Sequence, residues 1–145
     1  MLHDFNSEGE LPPGVHPATL EEVVSRFGNG SPIREEVTRR LRRIYQLASA
    51  TGMLQRFVVF GSYVTSKPEP NDVDIVLVMR EDFIIERCAL EARGLFEHHR
   101  AAAEFGASIF WVRPSILFGQ PVDDFIGHWQ IKRDKTQRGI VEVMG

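Results

Sequence analysis

Two aspartates one residue apart, Asp72 and Asp74, are the residues of this sequence best suited to metal chemistry. They stand at the start of an apolar run over 73–79 that is rich in β-branched residues, which predicts a strand. Side chains at positions i and i+2 of a strand point to the same face, so the two carboxylates are expected to project together. Mg²⁺ prefers carboxylate oxygens and substrate phosphates, which makes the pair a candidate magnesium site.

An ordinary turn at Asn71 and Asp72, with Asp74 facing outward from a half-exposed strand, would also produce this pattern. Against that alternative, Val76 and Val78 share a strand face with the two aspartates. The strand is therefore expected to be buried on both sides. An acid in such a strand usually needs a metal or a partner.

A Gly-Ser pair, Gly61 and Ser62, follows the apolar run 57–60 and is separated from Asp72 by nine residues. Glycine has no Cβ and lets a ligand approach the backbone closely, while Ser62 adds a hydroxyl and an N–H group. A helical turn over 63–67 would direct further N–H groups at an anion above Ser62. The pair is therefore a candidate phosphate site.

The whole pattern, apolar-Gly-Ser, nine residues, then Asp-apolar-Asp-apolar over 57–77, resembles the signature of the DNA polymerase β-like nucleotidyltransferase superfamily, particularly its minimal single-domain members. The resemblance implies an α/β (α+β) fold in which a small mixed β-sheet carries helices on one side. It implies a nucleotidyltransferase with one or two Mg²⁺ ions on Asp72 and Asp74 as catalytic residues, and an NTP substrate at Gly61 and Ser62. Minimal members commonly belong to toxin–antitoxin or defence pairs, so a protein partner or an RNA acceptor for the nucleoside monophosphate is implied as well.

In active members of that superfamily, a later strand usually supplies a third carboxylate, which binds metal and helps to activate the attacking hydroxyl. The matching position here is Ser108, or Ala107, and neither side chain can take that role. We expect Ser108 to lie beside the aspartate pair, and four acids are substitutes to check: Glu104, Asp123, Asp124 and Glu142. Two functions stay open, a nucleotidyltransferase and a catalytically decayed, antitoxin-like module that binds a partner.

Capping residues and hydrophobic periodicity predict the surrounding elements. Thr19 and Glu22 have the spacing of a capping box before a helix that ends at Gly28. Ser31 and Pro32 start a second helix, which runs to about residue 50. The other predictions are strands over 57–60, 73–79 and 107–112, a long helix over 82–106, and a hairpin of 129–132 with 139–143. Residues 1–17 are predicted to form an extended arm and residues 18–145 a single domain.

The composition indicates one globular domain, because 43% of the 145 residues are hydrophobic and 26% are charged. The net charge of −3 does not favour nucleic acid as a ligand. One helix face nevertheless carries four arginines, Arg39, Arg40, Arg42 and Arg43. We interpret that face as solvated, with RNA binding as the alternative.

No apolar run approaches the length of about 20 residues that a membrane span needs, and the N-terminus has no signal-peptide pattern. We therefore expect a cytoplasmic protein without membrane contact. Cys88 is the single cysteine and excludes an internal disulfide. The sequence leaves self-association into a homo-oligomer open.

Overall fold

A mixed five-stranded sheet with strand order β1-β5-β2-β3-β4 is the centre of the fold. The computed structural model describes residues 2–145. Its strands are β1 (Val15–Thr19), β2 (Leu54–Phe60), β3 (Val73–Met79), β4 (Ala107–Val112) and β5 (Ile140–Met144). Its α-helices are α1 (Leu20–Phe27), α2 (Pro32–Ala50), α3 (Leu90–Arg93), α4 (His98–Phe105) and α5 (Val122–His128). The predicted α/β class with a mixed sheet is confirmed.

Strand direction in the sheet follows from the connections. The pairs β1–β5 and β3–β4 are parallel, whereas β2 runs antiparallel to both β3 and β5. The β3–β4 pair is parallel, so the chain must cross over between these strands, and that crossover contains α3 and α4. The predicted strands over 73–79 and 107–112 are confirmed.

Helices α1 and α2 begin at the predicted caps. The Thr19 hydroxyl accepts from the Glu22 N–H at 3.1 Å, and the Glu22 carboxylate accepts from the Thr19 N–H at 3.1 Å, which completes the capping box of α1. The Ser31 hydroxyl caps α2 by accepting from the Arg34 N–H at 3.2 Å. The apolar faces of both helices join one core with the sheet, whose members include Val23, Phe27, Val37, Leu41, Ile44, Val59 and Ile75.

The opposite face of the sheet is covered by α5. Ile126 of that helix is fully buried and packs with Val58, Val76 and Ile140. Helices α1 and α2 therefore occupy one face, as expected, while α5 lies on the other. Burial of Val76 and Val78 confirms that β3 is covered on both sides.

The prediction of an arm over residues 1–17 is wrong at its C-terminal end, because residues 15–17 belong to β1 and pair with β5. Leu11 is also fully buried. The partner strand lies far away in sequence, so local composition could not reveal the pairing. Pro17 is tolerated because β1 is an edge strand of the sheet.

The predicted long helix over 82–106 is wrong as well. The segment is broken into short helices, and Glu97 has an extended backbone (φ −127°, ψ 116°) just before α4. Its aromatic residues pack against β4 instead of forming one helical stripe. The ring centroids of Phe83 and Phe96 lie 4.6 Å apart, and Trp111 lies 5.6 and 5.5 Å from them.

The predicted hairpin over 129–143 exists only in its second half. Residues 140–144 form β5, which pairs with β1 and β2, whereas Trp129 ends α5 and a single bridge joins Ile131 to Gln137. The alternation of apolar residues does mark a strand, but β5 pairs with β1 and β2 and not with residues 129–132. Among the described residues, no helix combines the length and apolarity needed to cross a bilayer.

Candidate functional site

The two aspartates lie together at the start of β3. Asp72 immediately precedes the strand, and Asp74 is its second residue. In the sheet register Asp74 lies opposite Phe60 of β2 on one side and Ser108 of β4 on the other. Directly paired residues share a sheet face, so all of these side chains point to the α5 side.

Gly61 is in direct contact with Asp74. It has φ 82° and ψ −164°, a conformation that side-chain-bearing residues rarely adopt. A Cβ at this position would overlap the Asp74 carboxylate oxygen and lie 3.0 Å from its Cγ. Glycine is therefore needed both for the turn and for the approach of the carboxylate.

The helical turn after Gly61 is shorter than predicted and begins earlier. It covers Ser62–Val64, rather than 63–67, and is a 3₁₀ turn. Thr65 closes it by donating its N–H and its hydroxyl to the Ser62 carbonyl, at 3.3 and 2.6 Å. The Ser62 hydroxyl makes no hydrogen bond to the described part of the chain, so it can bind a ligand without breaking a protein contact.

Ser108 lies at the expected position beside the pair. Its hydroxyl donates to Asp72 Oδ2 at 3.1 Å. Within residues 2–145, no group of three His, Cys, Asp or Glu side chains could hold a metal ion. The aspartate pair and one hydroxyl are therefore the oxygen donors found here.

None of the four substitute acids joins the aspartates. Glu142 accepts two bonds from Arg56 at 2.7 Å, and Asp123 accepts from the same guanidinium at 2.6 Å. Glu104 accepts at 3.1 Å from the arginine four residues before it. Asp124 lies exposed in the first turn of α5. The third position is therefore held by a serine.

The environment of Asp74 opposes its negative charge. Burial of the carboxyl is the main reason that its pKa is raised from 3.8 to about 6, and repulsion from Asp72 adds to the effect. The charge of Arg138 and the hydroxyl of Ser108 act in the opposite direction without cancelling it. A cation bound between the two carboxylates would offset their repulsion and favour the charged form of Asp74 despite its burial.

Three aromatic side chains line the sheet face beside the acids. The Trp129 ring centroid lies 4.8 Å from that of Phe60 and 5.0 Å from that of Phe110. Phe60 is the register partner of Asp74, and Phe110 follows Ser108 on the same face of β4. Aromatic surfaces of this kind stack nucleobases.

Arg34 is buried and binds the main chain of the loop that follows Ser62. It is 5% exposed, and its guanidinium donates only to backbone carbonyls. Nη1 donates to Phe27 and Tyr63 at 3.0 and 2.9 Å, Nη2 donates to Thr65 and Lys67 at 2.6 Å each, and Nε donates to Lys67 at 3.0 Å. All five N–H donors are used, four of them on carbonyls of residues 63–67 and one on the carbonyl of Phe27 at the end of α1.

Comparison with protein families shows how much of the chain one family covers. A family model matches residues 3–144. The chain belongs to DUF6932, a family of unknown function. No curated protein and no solved structure matches the chain. The family unit thus includes the N-terminal segment together with the sheet.

The sequence patterns identified residues that contact the two aspartates, but not the side chain that fixes the neighbouring loop. The missed residue is Arg34, whose guanidinium contacts carbonyls 29 to 33 positions along the chain. The only local sign was that Arg34 falls at a position of α2 that faces the core, next to Ile33 and three residues before Val37.

The raised pKa of Asp74 should make the free energy of unfolding depend on pH. As pH rises from about 4 to about 6, the unfolded chain loses a proton that the folded protein keeps, so the free energy of unfolding falls. Above that range the free energy of unfolding stays lower by a constant amount. One pKa unit is about 1.4 kcal/mol, and partial exposure of Asp74 reduces the total to about 1–2 kcal/mol. In EDTA, Asp74→Asn should exceed wild type by that amount at pH 8 and match it at pH 4, measured by urea unfolding.

Asp124→Asn is the matched control, since it makes the same substitution at an exposed carboxyl and should not raise the stability above that of wild type at pH 8. An Asp74→Asn protein that is less stable than wild type at pH 8 would contradict the assigned cause of the pKa shift.

Proposed function

We propose that this protein is a nucleotidyltransferase that binds a magnesium complex of a nucleoside triphosphate at Asp72 and Asp74. One observation carries the proposal: the two carboxylates share a face at the point where the Gly61 turn contacts Asp74. Gly61 and Ser62 would bind the phosphates, and the aromatic surface would stack the base. The resemblance of the motif to the DNA polymerase β-like superfamily supports the same conclusion.

The residues present fit Mg²⁺. All donors at the site are oxygens, and two carboxylates with substrate phosphates are a normal magnesium environment. When bound, Mg²⁺ would neutralise charge on the polyphosphate and polarise the α-phosphate. The donor set is sufficient for one ion, whereas a second ion would lack the third carboxylate at Ser108.

The reaction would transfer a nucleoside monophosphate to a hydroxyl of a protein or an RNA. The acceptor oxygen forms a bond to the α-phosphorus, and the bond to the bridging oxygen breaks, so that pyrophosphate leaves with the electron pair. The acceptor proton would pass to water, because the Ser108 hydroxyl cannot take it. Ser108 would instead orient Asp72 through its hydrogen bond. We therefore expect slow transfer in the native protein.

A second candidate function is favoured by that same hydrogen bond. A serine that donates to Asp72 stabilises the pair without adding charge, which suits a protein that binds nucleotide but does not transfer it. Such a protein would act as a partner-binding, antitoxin-like module. In both cases we propose a cytoplasmic protein, where NTP is available, with a toxin–antitoxin or defence protein as its partner.

Thermal unfolding tests the binding site. A ligand specific to the native state stabilises by about 2.7 kcal/mol at 100 times its Kd, so Mg²⁺ with NTP should raise the Tm of the wild type by several degrees. Asp72→Asn removes a metal ligand and should abolish this increase. Asp124→Asn, which removes an exposed acid of the same type, should keep it. An equal NTP response in Asp72→Asn and wild type would overturn the proposed site.

A further inference from the structure

An ionic cluster of one buried carboxylate and two half-buried cations links the N-terminal segment to the loop before β5. Glu10 is 8% exposed, and Lys132 Nζ donates to its two carboxylate oxygens at 3.2 and 2.9 Å. Arg138 Nη1 lies 3.5 Å from Glu10 Oε2. Two cations thus converge on one carboxylate, which leaves the cluster with a net positive charge.

This cluster borders the aspartate site. The main chain of Glu10 forms an isolated antiparallel β-bridge with Thr65, which ends the turn that begins at Gly61. Next to it, the Ser66 N–H donates to the Gly9 carbonyl at 2.8 Å. An anion held by the cations would therefore lie next to the proposed metal ligands.

The Glu10 side chain is not needed to fix its own segment. The Asn6 N–H donates to the Glu10 carbonyl at 2.7 Å, and the Gly139 N–H donates to the Leu11 carbonyl at 2.9 Å. Leu11 is fully buried in the core. The main chain is thus anchored on both sides of Glu10, so its carboxylate can leave the cations while the segment stays in place.

We propose that Lys132 and Arg138 form a polyphosphate-binding subsite, which the Glu10 carboxylate occupies in the free protein and leaves when the ligand binds. This inference rests on the proposed function, since the polyphosphate would be that of the NTP. Carboxylate and phosphate oxygens accept charge-assisted hydrogen bonds from the same donors, and a polyphosphate brings more of them. Glu10 therefore acts as an internal competitor that keeps two cations paired until the ligand arrives.

Inorganic tripolyphosphate in EDTA is the direct probe, measured on the full chain by isothermal titration calorimetry. Glu10→Gln keeps the size of the side chain but removes the competing charge, so it should bind about tenfold tighter than wild type, a difference of about 1.4 kcal/mol. Glu8→Gln makes the same charge change at an exposed position of the same segment and should bind like wild type. Arg138→Gln should bind about tenfold more weakly.

Binding by Glu10→Gln that equals or falls below that of Glu8→Gln would overturn the inference and leave the cluster as a structural ion pair. If Glu10→Gln does not fold, as judged by near-UV circular dichroism, Arg138→Gln decides, and unchanged binding there also overturns it. The probe needs no magnesium. If the Asp72→Asn test fails and the tripolyphosphate test succeeds, the proposed function is overturned and the anion subsite stands. If the Asp72→Asn test succeeds and the tripolyphosphate test fails, the proposed function stands and the anion subsite is overturned.

Discussion

Replacing Ser108 by aspartate is expected to raise the rate of nucleoside monophosphate transfer by about two orders of magnitude or more. The hydroxyl of Ser108 lies 3.1 Å from Asp72, so a carboxylate there would reach the same metal position. It would supply the missing metal ligand and proton acceptor, and groups of this kind typically contribute about 10²–10⁴-fold. The measurement is transfer of label from an α-phosphate-labelled NTP to protein or RNA of a cell extract.

A second readout of Ser108→Asp does not depend on the acceptor. A third carboxylate beside Asp72 and Asp74 adds repulsion, so the variant should melt below wild type in EDTA and be stabilised more strongly by Mg²⁺. Ser108→Asn, which is close in size to the aspartate but uncharged, should show neither effect. Labelling and a Mg²⁺ response that both stay at wild-type levels would show that position 108 is not the third metal position, and would contradict the account of the site.

Loss of Arg34 is expected to be the most damaging single change to the fold around the site. Arg34→Met keeps most of the apolar volume but leaves the carbonyls of Phe27, Tyr63, Thr65 and Lys67 without the donors that they now share. Breaking a buried ionic hydrogen-bond network in this way costs about 3–5 kcal/mol. Urea unfolding measures the loss, and the Mg–NTP response should weaken in parallel because the loop after Ser62 is no longer fixed.

Arg42→Met is the matched control on the same helix. Arg42 pairs with Glu21 at 3.0 Å on the surface, and exposed pairs contribute about 1 kcal/mol or less. A second variant, Arg34→Lys, keeps the charge but offers three donors in place of five and should fall between the two. Stability of Arg34→Met within about 1 kcal/mol of Arg42→Met would rule out the bracing role.

Local patterns in the sequence predicted most elements because their signals are local. The capping box at Thr19 and the Ser31-Pro32 start depend on residues within one helical turn, and both helices begin there. The strand over 73–79 and the Gly61 turn were likewise visible in a few consecutive residues. The same local rules failed over 82–106, where the apolar residues serve an aromatic cluster with Trp111 and not one helix face.

The chemical groups available at the site can be read from the order of residues: two acids on one strand face, a glycine turn upstream, and a serine where a third acid was expected. Which charged groups surround them depends on how distant segments pack together. That packing pairs Glu142 with Arg56, away from the aspartates, and brings Glu10 and Arg138 together from the two ends of the chain. The partners of these ion pairs lie 86 and 128 positions apart, so the pairs follow from strand order and loop packing, and no local pattern encodes them.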